Sequence, residues 1–184
     1  MFVSGEYIGK YLIKGTLGSG GMAIVYRAQD TITRRFVALK YLPREEATEE
    51  YVGRFQREAK LLAKLNHDNI VKVYDVVQQK GCLCFAMELI EGSSLESLHY
   101  QTSRQTGGGI PEEQARPILV DIARALAAAH VKNILHRDIK PANIMIEAET
   151  KRTVLLDFGL ARGAGTQTLT KTGAVMGTLM YLAP

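Results

Sequence analysis

The sequence predicts an α+β fold in two lobes, a small β-rich lobe followed by a helical one. Two observations carry this expectation. In the first third, short runs alternate apolar and polar residues between Gly-rich or charged turns, the period of half-buried strands. After Glu91 the period changes, culminating in a long Ala-rich stretch over 111–131 that only a helix accommodates at that length. The 184 residues, 46% of them hydrophobic, allow one ordinary domain or two small lobes and argue against disorder.

Taken in order, the runs 11–17, 24–28 and 36–41 predict an antiparallel meander. Phe55, Ala59 and Leu62 then recur at helical spacing among Arg, Glu and Lys, which predicts an amphipathic helix ending near Asn66. Strands over 70–77 and 82–89 follow, with Lys80 and Gly81 in the turn between them. Ser93 and Glu96 have the spacing of a capping box. The segment 102–109, TSRQTGGG, is expected to be a flexible link into the helix of 111–131, which Pro117 is expected to bend early. Short strands near Ile144 and over 154–156 bracket a turn, and from Gly159 the chain is polar, Gly/Thr-rich and aperiodic.

Composition narrows the function classes. No run approaches the eighteen or so apolar residues of a membrane span, and the start lacks the apolar core of a signal peptide. A cytoplasmic location and no membrane segment in this chain are expected. The formal charge of +4 is spread out instead of gathered in a basic run, so no nucleic-acid partner is expected. Cys82 and Cys84, two apart in an apolar stretch, point to one face of a strand and read as buried free thiols, not a disulfide or a zinc site.

The run Leu17-Gly18-Ser19-Gly20-Gly21-Met22-Ala23-Ile24-Val25 lies between two predicted strands. Its glycines let a hairpin tip fold close over a polyphosphate and offer backbone N–H groups, although a Gly-rich hairpin by itself is usually only a turn. Neither a dinucleotide fingerprint nor a Walker A loop fits, because no helix follows and no Gly-Lys-Ser/Thr ends the run. In Val37-Ala38-Leu39-Lys40 a lysine ends an apolar strand, where an unpaired ammonium is costly to bury. Phosphate oxygens and Glu58 of the following helix are candidate counter-anions. Snorkelling for Lys40 and a solvated helix face for Glu58 are the plainer readings of each residue alone; the combination with the loop favours the site.

The segment His136-Arg137-Asp138-Ile139-Lys140-Pro141-Ala142-Asn143 crowds ionisable and amide side chains between a long helix and a strand. A carboxylate beside a lysine suits acceptance of a hydroxyl proton while the ammonium steadies a transferred phosphoryl group, and the amide of Asn143 suits a metal. Asp157, opening Asp157-Phe158-Gly159, adds a hard oxygen ligand. His136 reads as a packed, hydrogen-bonded residue, since a carboxylate already fills the role of base.

In order, Gly18-x-Gly20, Lys40, Glu58, His136-Arg137-Asp138, Asn143 and Asp157-Phe158-Gly159 resemble the eukaryotic-type (Hanks-type) protein kinases over essentially the whole chain. The resemblance implies a bilobal protein-kinase-like fold, incomplete here: 1–88 as the N-lobe with the Gly-rich loop, 89–92 as hinge and 93–184 as the first part of the C-lobe. It implies ATP and Mg2+ as cofactors. Lys40 would hold the α/β-phosphates and pair with Glu58; Asp138 would be the base, Lys140 would contact the γ-phosphate, and Asn143 and Asp157 would hold magnesium. Leu17, Gly18, Ser19, Gly20, Gly21, Met22 and Ala23 would cover the phosphates. Val25, Ala38 and Met145 would sandwich adenine, Met87 would be the gatekeeper, and the backbone of Glu88 and Ile90 would read the base. Leu62, Val73, His136 and Phe158 would form an apolar spine.

Asp-Ile-Lys-Pro-Ala-Asn and Gly-Thr-Leu-Met-Tyr-Leu-Ala-Pro resemble serine/threonine kinases, and Leu-Gly-Ser-Gly-Gly-Met resembles bacterial members. Protein substrates with Ser/Thr acceptors are therefore expected, with autophosphorylation at Thr170 and Thr172 and a second copy of the chain as a candidate partner for it. The family's third loop glycine is Ala23 here, which is expected to alter nucleotide affinity without abolishing catalysis. The sequence closes at Leu182-Ala183-Pro184, where the family continues with a Glu and further helices. A truncated nucleotide-binding or scaffolding module is the alternative expectation.

Overall fold

The computed structural model describes residues 1–20, 23–43, 48–79 and 82–158. They fall into two compact units, one of Met1–Lys64 with Lys72–Leu89, the other of Leu65–Val71 with the chain from Ile90 onward.

The first unit is built on strands β1 (Tyr7–Ile8), β2 (Tyr11–Gly20), β3 (Ala23–Asp30), β4 (Phe36–Leu42), β5 (Val73–Gln79) and β6 (Cys82–Glu88), with helix α1 (Glu49–Leu62) between β4 and β5. The strands pair antiparallel throughout, in the order β1-β2-β3-β4-β6-β5. All but the first residue of β4 are buried, because both faces of the sheet are covered. On one face Tyr11, Ile13, Tyr26, Leu39, Tyr41 and Cys84 form one apolar cluster. Phe2 packs edge-on against Tyr41 at 5.2 Å between ring centroids. The other face receives α1, with Phe55 at 4.9 Å from Phe85. Phe55, Ala59 and Leu62 are all buried, as their spacing predicts.

In the second unit, β7 (Gly92–Ser94), β8 (Ile144–Glu147) and β9 (Thr153–Leu155) form a small antiparallel sheet. Helix α2 (Leu95–Thr106) follows β7, α3 (Glu112–Val131) precedes a 3-10 turn at Pro141–Asn143, and that turn feeds β8. Ile118, Ile122, Ala125 and Ala129 form the buried stripe of α3, which packs on β9. The helix stops by a backbone device: Asn133, at φ 56°, donates to His130 O and Ile134 donates to Ala129 O, the paired bonds of a Schellman ending.

Several expected boundaries move. The helix expected to reach Asn66 ends at Leu62, and the strand expected from Ile70 begins at Val73. The cause is tertiary: Leu155 N–H donates to Asn69 O, Val71 N–H donates to Leu155 O, and Ile70 bridges Leu155 in parallel, so this stretch pairs with β9. Ser94, not Ser93, caps α2, its hydroxyl accepting from Ser97 N–H at 3.1 Å, because strand β7 runs through Ser94 and the helix begins only at Leu95. Residues 102–106 belong to α2, which ends at Gly107 with φ 72°; only the glycines of the expected flexible segment lie outside the helix.

Candidate active site

The first unit carries the expected loop and lysine. Gly18, Ser19 and Gly20 are strand residues of β2, opposite Val25, Ile24 and Ala23 of β3. Two register shifts in β2, at 13/15 and 16/18, bend the strand just before them. Ala23 sits opposite Gly20 in this ladder, a geometry any residue adopts. A methyl placed on Gly18 would meet no atom of the described residues within 4 Å, so packing among them does not require glycine there. Directly paired residues share a face, and the register therefore places Gly18, Val25, Lys40 and Phe85 in one row across four strands. Ala38 and Met87 form a second pair on the same face.

Lys40 is 9% exposed, and its Nζ lies 2.7 Å from Glu58 Oε1 and over the Phe85 ring. Neither snorkelling nor a solvated helix face describes the pair; burial of the ammonium is compensated by a carboxylate at hydrogen-bond distance. Glu88 N–H donates to Lys72 O at 2.8 Å, which fixes the end of β6. Leu17 is half exposed.

The second unit carries the acidic cluster. Asp138 Oδ2 lies 2.9 Å from Lys140 Nζ and accepts from Asn143 Nδ2 at 3.0 Å, the same nitrogen also donating to Asp138 O. The other carboxylate oxygen, Oδ1, is buried without a hydrogen-bond partner among the described residues. Buried polar atoms are rarely left so. Asn143 itself is buried, and its carbonyl accepts from Leu156 N–H, tying the 3-10 turn to the strand leading to Asp157. Arg137 and Asp157 both have positive φ, 65° and 36°, a conformation costly for residues with side chains and concentrated at functional sites.

His136 is 2% exposed. Its Nε2 lies 2.7 Å from Leu156 O and its Nδ1 accepts from Asp138 N–H at 3.3 Å, with the Phe158 ring tilted against it at 4.5 Å between centroids. A carbonyl can only accept, so Nε2 carries the hydrogen. Burial holds the imidazole below its ordinary range despite the Leu156 carbonyl, which favours the cation. Met145 lies in β8, opposite Ser94 and Val154, and Ile90 is buried just before β7. Gly21, Met22, Thr170 and Thr172 lie outside the described residues.

Sequence reasoning passed over Gly92. A methyl there would stand 2.0 Å from Ile146 O, and no local signal distinguishes this glycine from one in a turn, because the obstacle lies on a strand distant in sequence.

A model of the protein kinase domain matches residues 11–184. The serine/threonine-protein kinase PrkC of Bacillus subtilis is 38% identical over the whole chain, which covers 28% of that relative's length. PknD of Mycobacterium tuberculosis is 39% identical over 98% of the chain and 26% of its own length. The chain thus spans under a third of the curated relatives it matches. Among solved structures, the kinase domain of M. tuberculosis PknI superposes with a TM-score of 0.75 at 31% identity, over 88% of this chain and 64% of that one.

Proposed function

Because the chain belongs to the protein kinase domain family, we propose that it transfers the γ-phosphoryl group of Mg-ATP to serine and threonine hydroxyls of proteins. The observation that carries this reading is Asp138, whose Oδ2 is engaged by Lys140 and Asn143 while Oδ1 is buried and without a partner among the described residues. That division suits a base: one oxygen fixes the carboxylate's orientation and the other is left to receive the proton of an acceptor hydroxyl.

The residues also fit the ligands. The open space over Gly18 suits close approach of a polyphosphate to the backbone, and Asn143 and Asp157 offer the hard oxygen donors magnesium prefers. ATP, when bound, supplies the electrophilic phosphoryl group, and Mg2+ neutralises charge on its oxygens. Lys40, oriented by Glu58, binds the α/β-phosphates. Lys140, ion-paired with Asp138, steadies negative charge on the transferring group. Val25, Ala38, Met87 and the backbone of Glu88 in the first unit, and Met145 and the backbone of Ile90 in the second, are assigned to adenine binding. His136 orients the backbone at Asp138 without exchanging a proton. In the same reading 1–88 is the N-lobe, 89–92 the hinge and 93–184 the first part of the C-lobe.

No helix among the described residues is long and apolar enough to cross a membrane. We place the activity in the cytoplasm, with Thr170 and Thr172 as its own acceptor sites, modified by a second copy of the chain.

The test is transfer of labelled phosphate from Mg-ATP to a generic Ser/Thr protein substrate. Asp138→Asn is expected to lower the rate on the order of 100-fold or more, and mass spectrometry is expected to find phosphate on Thr170 and Thr172. Equal incorporation by both proteins would sink the catalytic assignment.

A further inference from the structure

We propose that Gly92 is a positioning residue of the nucleotide site, whose lack of a side chain lets β7 lie close enough to β8 to hold Ile90 and Met145 in one frame. This deepens the kinase reading and rests on it.

The register pairs Gly92 with Glu147, Ser93 with Ile146 and Ser94 with Met145. A Cβ on residue 92 would stand 2.0 Å from Ile146 O, 2.9 Å from Ile146 C and 3.0 Å from Glu147 Cα. All three are backbone atoms, so no rotamer change relieves the contact, and the strands would have to part by about 1 Å or more. At Gly15, Gly18 and Gly53 the same methyl would meet nothing within 4 Å among the described residues.

The strain falls on β7. On its other side β8 is paired with β9, whose three residues are buried and whose Leu155 is bonded to Asn69 and Val71. Strand β7, by contrast, is three residues long. It is tied at its start by Ala148 N–H donating to Glu91 O at 2.9 Å, and at its end by the Ser94 cap of α2. Displacing it carries Ile90, two residues upstream, away from Met145. Moving this one element would misplace the adenine-reading backbone of Ile90 relative to Met145, and errors of 1 Å in positioning groups cost up to about 100-fold.

The experiment compares wild type, Gly92→Ala and the control Gly53→Ala in phosphoryl transfer. Gly92→Ala is expected to raise the KM for Mg-ATP about tenfold or more while kcat stays within about twofold, and Gly53→Ala is expected to keep the wild-type KM. An unchanged KM in Gly92→Ala, with or without a loss of kcat or thermal stability, overturns the proposal. If Gly92→Ala does not fold, hydrogen exchange of the wild type decides: the Ala148 amide is expected to slow when Mg-ADP is added, and no change there overturns the proposal. A wild type that binds no Mg-ATP defeats the kinase reading itself; normal wild-type binding beside an indifferent Gly92→Ala defeats only this inference.

Discussion

At the scale of the residue, His136 shows how a titratable group in a reactive-looking cluster is withdrawn from proton chemistry. Both ring nitrogens are engaged, by Leu156 O and Asp138 N–H, and burial lowers its pKa below the ordinary 6.5. A depressed pKa means the folded state resists protonation. Its contribution to stability is present above pH 6.5, where the unfolded chain is neutral too, and is lost as the pH falls through the lower folded value. An NMR titration of the His136 ring is expected to show a midpoint below 6.5; a midpoint at or above it would contradict the buried neutral tautomer. The sequence suggested packing for this histidine, and for Lys40 and Glu58 a pairing that the 2.7 Å contact bears out. It gave no sign that one oxygen of Asp138 would be orphaned, since satisfaction of an atom is a property of its surroundings.

At the scale of the element, the start of α2 separates local from tertiary signals. Ser93 and Ser94 are both good caps by residue type, and the spacing to Glu96 favours the first. Extension of β7 through Ser94, which is paired with Met145 of β8, delays the helix start and decides for the second. Ser94→Ala is therefore expected to cost about 1 kcal/mol in urea denaturation, and Ser93→Ala only a few tenths. The reverse order would mean the helix begins one residue earlier in solution. Strand β5 and the end of α1 moved for the same kind of reason, because 65–71 is drawn to β9 by bonds to a strand far along the chain.

At the scale of the whole first unit, the sheet order separates β2 from β5 by three strands, yet Tyr11 OH donates to Asp75 Oδ2 at 3.0 Å. The sheet therefore curls until these strands meet. Lys10 joins them, 3.1 Å from Asp75 and 3.3 Å from Asp30. Desolvation alone would raise the Asp75 pKa, but the hydrogen bonds from Lys10 and Tyr11 outweigh it and hold the carboxyl below its ordinary 3.8. Its stabilising effect is thus full above 3.8 and lost as the pH falls through the depressed value. Tyr11→Phe is expected to lose about 1.5 kcal/mol at neutral pH, a gap that narrows under acid; a gap independent of pH would point away from the carboxylate. By itself the sequence determined the lobes, most strands and helices, and the loop, lysine and acidic motifs, because periodicity and residue chemistry are local. Only the tertiary structure decided the curl of the sheet, the docking of 65–71, the caps, the free oxygen of Asp138 and the need for glycine at 92. Each of these is set by an atom brought from elsewhere in the chain, whose position no local pattern encodes.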